Sequence, residues 1–406
     1  MKIDSLKFYG IAVLLTTCLF IFIYLLEYFT GNGDGIWQDF DVLKVAFKVI
    51  FFESLVLVMV YGLSHFKPWF ANVVLSLLTV IATLFLIEFT LGQLIKLNAS
   101  KAQVIPQKPS IERPDHTQCI VLDDTLGYKA KPNWHLQWKP SERDNSLTFS
   151  TDSLSRRIVP TNDSSKSARN KYALFLGCSY TYGDGVSDKE TMPYFFEQKA
   201  QHYLAQNYGF MGYSPLQTLA LFQQRNLRKE IKEPQGFGVY TYINDQIDRV
   251  IPASRWIELM KGRFPNLIHK SMLTDGIFLK KHHILYDFVQ WGGNTNTAQY
   301  FRIGYPKIHN ESHYQLVIDV LKKAKEEYKL QFKNDEFYVI IFPGSPLEPS
   351  MKTMFDRSGI KYFDYSKLLN LEKSYLPFDS AHPKGEVYKL VMDKFYSDLE
   401  KEKLLI

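Results

Sequence analysis

Uninterrupted apolar runs crowd into the first quarter of the chain, and beyond them the pattern changes twice. Residues 8–26 and 69–87 are each 19 residues without a formal charge, close to the ~20 an α-helix needs to cross the hydrocarbon of a bilayer. Residues 45–66 are long enough as well but carry Lys48 and Glu53, so a span there depends on helical partners on either side. A cleaved leader fits poorly. The first run is longer than a signal h-region, and no small-x-small site follows it before Thr30-Gly31-Asn32-Gly33. The pattern therefore predicts three transmembrane helices within residues 1–97.

Residues 98–168 are polar and turn-rich, with proline at 106, 109, 114, 132, 140 and 160, which predicts a linker and a small β-rich accessory region. Trp134 and Trp138 share one face of an extended segment there. They serve either as a platform for stacking a sugar or as the core of the small subdomain. From 169 to 406 short apolar strands alternate with amphipathic helices, which predicts an α/β domain with a mainly parallel sheet. Strands are expected at 172–176, 238–243 and 337–342, the last closed by Pro343-Gly344. Tyr314, Val317, Ile318, Val320 and Leu321 mark a helical stripe running to about Tyr328. In such sheets ligands bind beyond the carboxyl ends of the strands, so the residues just after each strand carry the interest.

Charge and composition narrow the field. The chain has 48 Lys and Arg against 42 Asp and Glu, a net +6, with 46% apolar and 22% charged residues, an ordinary globular balance that disfavours disorder. The small excess forms no dense basic block, so nucleic acid is not the expected partner. Cys18, Cys119 and Cys178 are too few for a disulfide scaffold and include no C-x-x-C pair. Lys2, Lys7 and Lys67 flank the spans on one side, whereas the first loop holds Asp34, Asp39 and Asp41 with only Lys44. That asymmetry places the α/β domain outside the cytoplasm, periplasmic in a two-membrane envelope, on a multi-pass protein of the cell membrane.

Candidate chemistry lies after the expected strands. Gly177-Cys178-Ser179-Tyr180-Thr181-Tyr182-Gly183 puts a serine on a strand-to-helix turn, clear of the sheet; a plain turn with an N-cap serine reads the same way. Asn207-Tyr208-Gly209-Phe210-Met211-Gly212-Tyr213 allows close backbone approach and an N–H aimed at an oxyanion, or is a simple glycine turn. Tyr242-Ile243-Asn244-Asp245 offers an amide to the same pocket or caps a helix. Asp379-Ser380-Ala381-His382-Pro383 pairs a histidine with a carboxylate that fixes its tautomer, and Pro383 keeps His382 on extended backbone.

These four blocks, in this order, resemble the SGNH hydrolases, also called GDSL-type lipases and esterases. The resemblance covers roughly 171–406, with 123–157 similar to a lead-in segment seen before such domains, and it implies a flavodoxin-like three-layer sandwich. Residue by residue it implies Ser179 as nucleophile, His382 as base and Asp379 as its orienting partner, with Ser179 N–H, Gly212 N–H and the Asn244 amide forming the oxyanion hole. Cys178 stands where the family has aspartate, and Tyr242 where it has glycine; Cys178 is expected to be a packed residue rather than a second nucleophile.

The resulting expectation is a membrane-tethered serine esterase that cleaves an O-acyl, chiefly O-acetyl, ester from an envelope glycan or glycoconjugate, with lipid esters as another substrate class and membrane lipid as a partner. The alternatives are an O-acyltransferase with a sugar hydroxyl as acceptor and a catalytically silent glycan-binding protein. No metal or organic cofactor is called for, since His282-His283 lacks a carboxylate at a familiar ligand spacing. The insertion at 252–312 reads as a lid or acceptor site, with Trp256, Phe264, Trp291 and Tyr300 available for stacking, or as a packed edge of the domain.

Overall fold

Residue alternation in the strands is the key to the architecture. The computed structural model describes residues 68–102, 116–139, 146–161, 169–371 and 374–405, with shorter pieces between 10 and 54, and the chain forms two compact units, Met1–Leu97 and Asn98–Ile406.

In the first unit Pro68 opens a 35-residue helix, Pro68–Ala102, proline being tolerated where the first-turn N–H has no partner anyway. Its Thr79–Leu97 stretch is, among the described residues, the one helix long and apolar enough to cross a membrane. Ser76, Thr83 and Thr90 each turn the hydroxyl back onto the carbonyl four residues earlier, which satisfies these three hydroxyls on a largely apolar surface. The helix continues beyond the expected end at Ile87, because Glu88 is one charge in a pattern that resumes with Phe89, Leu91 and Leu94. Of the expected span at 8–26, 11 residues are described and all of them are helical, whereas the expected span at 45–66 lies largely outside the described residues. Three transmembrane helices thus reduce to one candidate among the described residues.

In the second unit five strands, β1 (Lys171–Gly177), β2 (Tyr203–Asn207), β3 (Gln235–Tyr242), β4 (Phe337–Ile341) and β5 (Lys361–Asp364), form one sheet in the order β2-β1-β3-β4-β5. Every pairing is parallel. Strand order reverses between β1 and β3, the switch point where doubly wound sheets open a crevice. Tyr172, Leu174, Leu176, Val339 and Ile341 face one cluster, which takes in the helices Pro215–Gln224, Glu311–Phe332 and Pro349–Arg357. Ala173, Phe175, Phe237, Val239 and Ile340 face the other, beneath Met192–Lys199 and Gly385–Lys401. Both faces of the sheet are covered, as the alternation of side chains along a strand requires when successive residues are all apolar.

The three strands expected from the pattern are β1, β3 and β4. The other two, β2 and β5, are the edges of the sheet. In β2 buried and half-buried side chains alternate, and in β5 only Phe363 is buried, between exposed ends, so neither shows a continuous apolar run. Ahead of the sheet two hairpins, Ile120–Asp123 with Gly127–Ala130 and His135–Trp138 with Leu147–Ser150, occupy the accessory region. Trp134 packs against the larger core cluster, and Trp138 meets Phe378 edge-on at 5.0 Å. Both tryptophans are packing residues, not a sugar platform.

Phe196 joins helix to sheet, with its ring edge-on to Phe175, Tyr203 and Phe237 at 5.5–5.7 Å. Phe196→Ala is expected to lower the unfolding free energy by about 3–5 kcal/mol, read from urea denaturation followed by far-UV circular dichroism.

Candidate active site

Strand β1 leaves the sheet through a turn that only particular residues can make. At Gly177, φ is +141°, and a Cβ there would stand 2.4 Å from Thr181 Oγ1 and 3.1 Å from Thr241 O. At Gly209 a Cβ would lie 2.6 Å from Thr181 Cβ. The glycines therefore allow β1, the turn and the loop after β2 to close on one another. Cys178, fully buried, packs into the cluster beneath the second face of the sheet, so a small apolar side chain takes the position where the SGNH resemblance has aspartate. Ser179 then opens a single helical turn, Ser179–Tyr182, closed by Gly183 at φ +81°.

His382 arrives from the other end of the chain on a distorted strand. Asp379–Pro383 pairs with Tyr375–Leu376, but the register jumps from Leu376↔Asp379 to Tyr375↔Pro383, leaving residues 380–382 as a bulge. In a regular strand residues three apart point to opposite faces. The bulge removes that obstacle, and Asp379 Oδ1 secures it by accepting the Ala381 N–H at 2.8 Å. The other oxygen, Oδ2, lies 2.5 Å from His382 Nδ1, and His382 Nε2 lies 2.9 Å from Ser179 Oγ. A buried carboxylate, an imidazole and a hydroxyl thus stand in line. The sequence places His382 on an extended loop; the structure makes that loop one arm of a bulged hairpin.

Tyr180 ties the two halves together. Its hydroxyl donates to Ala381 O at 2.8 Å, and its ring packs edge-on to Phe342 and beside the His382 imidazole. Burial, with nearby acidic groups, pushes the Tyr180 phenol well above its ordinary range, so it stays protonated and keeps donating at any working pH.

Several supporting residues give no clear signal in the sequence. Asn207, at the end of β2, donates to Thr181 O at 3.0 Å and accepts the Gly209 N–H at 3.1 Å, joining the serine turn to the glycine loop. Asp184 brings Oδ2 within 3.8 Å of His382 Nε2, a second carboxylate facing the imidazole. Arg157, buried to 2% exposure, donates to Asp188, Tyr182 O, Gly183 O, Thr148 O and Val186 O. Its guanidinium also lies between the rings of Phe149 and Tyr182, at 4.6 and 4.8 Å. One side chain thereby binds the loop after Ser179 to the accessory hairpin. Only the Gly183-Asp184-Gly185 spacing hints at any of this; an arginine in a polar segment carries no periodicity.

The remaining expected residues are less directly engaged. Gly212 sits at φ +71°, where a Cβ would come within 2.5 Å of Tyr128 Oη and 3.2 Å of Trp256. The Asn244 amide donates to Pro346 O at 3.1 Å, so one of its two N–H groups is already used. The structure thus brings Ser179, Asp379 and His382 into direct contact, and leaves Gly212 and Asn244 after the ends of β2 and β3. Trp256 and Phe264 are buried in the core, which removes them from any stacking surface; Trp291 and Tyr300 remain exposed.

No family model matches the sequence, and no curated protein matches it. Among solved structures, a G-D-S-L-family protein from Desulfitobacterium hafniense DCB-2 is similar at 12% identity and TM-score 0.31, over 56% of this chain and 98% of that one. A member of the lipolytic protein G-D-S-L family from Veillonella parvula DSM 2008 is similar at 13% identity and TM-score 0.32, over 56% and 97%. The psychrotrophic esterase EstA from Pseudoalteromonas sp., in a form inhibited by monoethylphosphonate, is similar at 13% identity and TM-score 0.31, over 57% and 97%. With scores this low, the chemistry of the site rests on its own geometry.

Removing one member of a buried ion pair strands the other. Arg157→Ala is therefore expected to lower the unfolding free energy by about 3–5 kcal/mol, and Arg157→Lys to recover little of it, since an ammonium has no planar fork to reach five acceptors. Urea titration of both variants checks this.

Proposed function

We propose that the chain is a membrane-held serine hydrolase of the SGNH type that cleaves esters through an acyl-serine intermediate. The observation carrying this reading is the relay at the carboxyl edge of the sheet, with Ser179 Oγ 2.9 Å from His382 Nε2 and His382 Nδ1 2.5 Å from Asp379 Oδ2. Asp379 holds the Nδ1–H tautomer, which leaves Nε2 to take the Ser179 proton as Oγ attacks the ester carbonyl. The tetrahedral oxyanion is received by the Ser179 and Gly212 backbone N–H groups and by the second N–H of the Asn244 amide. As the intermediate collapses, the proton on Nε2 passes to the leaving alkoxide and the alcohol departs. Water then gives up a proton to Nε2 and attacks the acyl-serine, and as the second tetrahedral intermediate collapses Nε2 returns that proton to Ser179 Oγ while the acid departs. Asp184, 3.8 Å from Nε2, adds negative charge beside the imidazolium that forms in each half-reaction.

The substrate we assign is an O-acyl ester, chiefly O-acetyl, carried by a glycan or glycoconjugate of the cell envelope, with the catalytic unit outside the cytoplasm. The candidate membrane helix within Pro68–Ala102 and the distribution of Lys and Asp around the apolar runs support that location. Water is the acceptor we assign, because most members of the family that the four sequence blocks resemble use water.

A fluorophosphonate probe is expected to label the full chain at Ser179. Ser179→Ala and His382→Ala should each abolish labelling and turnover of a chromogenic acetyl ester, and the double variant should be little worse, since members of such a relay act as a unit. Asn244→Ala should fold normally and lose roughly 10²- to 10³-fold in rate. Undiminished turnover in Ser179→Ala would sink the mechanism. Acetate release that falls as acylated sugar accumulates, when glycan oligomers are added, would replace water by a sugar acceptor.

A further inference from the structure

Outside the relay, the most unusual surface is on the insertion between β3 and the helix Glu311–Phe332. The helix His283–Gly293 has no buried residue. Tyr286 and Val289 turn toward the larger core cluster, and on the opposite side Ile284, Phe288 and Trp291, at i, i+4 and i+7, are 75, 66 and 70% exposed. Phe288 and Trp291 lie with ring centroids 6.4 Å apart. The next helix, Asn296–Phe301, follows it directly in the chain; Phe301 at its end and Ile303 just beyond are also more than half exposed. Single exposed apolar residues are ordinary, but a contiguous group of this kind marks an interaction surface.

The charge around it selects the partner. Residues 252–312 carry eight Lys and Arg against four Asp and Glu, a surplus of four within a chain whose total is +6. Lys280 and Lys281 are engaged by Asp124 and Asp275; Lys261, Arg263, Lys270, Arg302 and Lys307 are exposed as well. Arg302 sits between Phe301 and Ile303 in sequence. A sugar-stacking site sets polar side chains around its ring, whereas Trp291 has Ile284 and Phe288 for neighbours on its face of the helix. The helix itself carries no Lys or Arg, but an apolar stripe ending in tryptophan, on an insertion with a basic surplus, suits the surface of an anionic bilayer. Asp287, the only carboxylate on this helix, falls at the edge of the face.

We propose that the face formed by Ile284, Phe288, Trp291, Phe301 and Ile303 seats on the surface of an anionic phospholipid bilayer, as an interfacial contact additional to any membrane-spanning helix. The proposal rests on the reading that the chain is held at a membrane by Thr79–Leu97, and thirteen residues of chain connect Ala102 to His116. Seating the insertion at the headgroup level presents the unit to substrates carried at that surface.

The test uses the full chain with Cys18 replaced by serine, because Cys119 and Cys178 are buried. A polarity-sensitive fluorophore is attached at Ile284→Cys or, as a control on an exposed position of another helix, at Lys389→Cys. Each is reconstituted into phosphatidylcholine vesicles with and without phosphatidylglycerol, containing lipids brominated in the acyl chain as quenchers. Retention of the chain through an alkaline carbonate wash reports on the spanning helix separately, and acetyl-ester turnover reports on the relay separately. The expected result is quenching at 284 and none at 389, deeper with phosphatidylglycerol, and lost in the Phe288→Ser/Trp291→Ser variant while turnover persists. Absence of quenching at 284 in carbonate-resistant vesicles would overturn the proposal. So would shielding of 284 that disappears when the chain is diluted into excess lipid, which would assign the face to a second copy, or shielding produced only by added glycan oligomers.

Discussion

A strand buried on both faces has no place for a polar side chain except at its ends, and β1 is such a strand. From Tyr172 to Leu176 every residue is fully buried, with alternate side chains committed to the two clusters. The first side chain able to do chemistry therefore comes where the chain leaves the sheet, and Ser179 stands there. The exit must be tight, because Thr241 on β3 and Thr181 on the following turn both close on Gly177. Asn207, Gly209 and Tyr180 matter because they hold that exit in one geometry, and a nucleophile displaced by even an ångström loses its alignment with the base.

The same constraint explains what could be read from sequence. Strands β1, β3 and β4 lie inside the sheet and write themselves as continuous apolar runs, so their positions and their parallel arrangement were legible. The edge strands, of which β2 buries alternate side chains and β5 only Phe363, were not. Ser179, His382 and Asp379 were legible as blocks in a fixed order, and the structure brings the three together. The bulge at 380–382 was not, since it is a mismatch with the short Tyr375–Leu376 strand and a mismatch leaves no mark on local composition. Arg157 was invisible for a related reason: its five acceptors come from two separate stretches of chain, Thr148 and 182–188. The aromatics of the insertion were legible as aromatics only, and burial divides them, with Trp256 and Phe264 in the core and Trp291 and Tyr300 outside.

Arg157 also changes the standing of the accessory region. Two short hairpins have little capacity to fold alone, yet here they supply Phe149 and Thr148 around a guanidinium that otherwise serves the loop following the nucleophile. A backbone bridge from Arg157 to Asn207 extends the connection to the end of β2. Desolvating a guanidinium and a carboxylate together is expensive, so such a pair is weak evidence for added stability. What it supplies is geometry, because five directed hydrogen bonds on one rigid fork leave the 182–188 segment few alternatives.

The histidine faces the opposite problem. In the proposed mechanism it cannot sit on a buried strand, because an imidazole that is to gain and lose a proton needs partners for both charge states, and it cannot sit on a free loop, because its ring is to point at Ser179. A bulge in a short hairpin meets both demands. It exposes the ring enough to exchange protons, and it is fixed at three points: the Asp379 carboxylate to Nδ1, the same carboxylate to the Ala381 N–H, and the Tyr180 hydroxyl to the Ala381 carbonyl. The third point comes from the residue immediately after the nucleophile. The serine turn thus helps to position the His382 ring, because Tyr180 ties the bulge to the residue it follows. Coupling of that kind preserves the 2.9 Å contact between hydroxyl and imidazole against small movements of either element. Residues 203 positions apart can then act as one group.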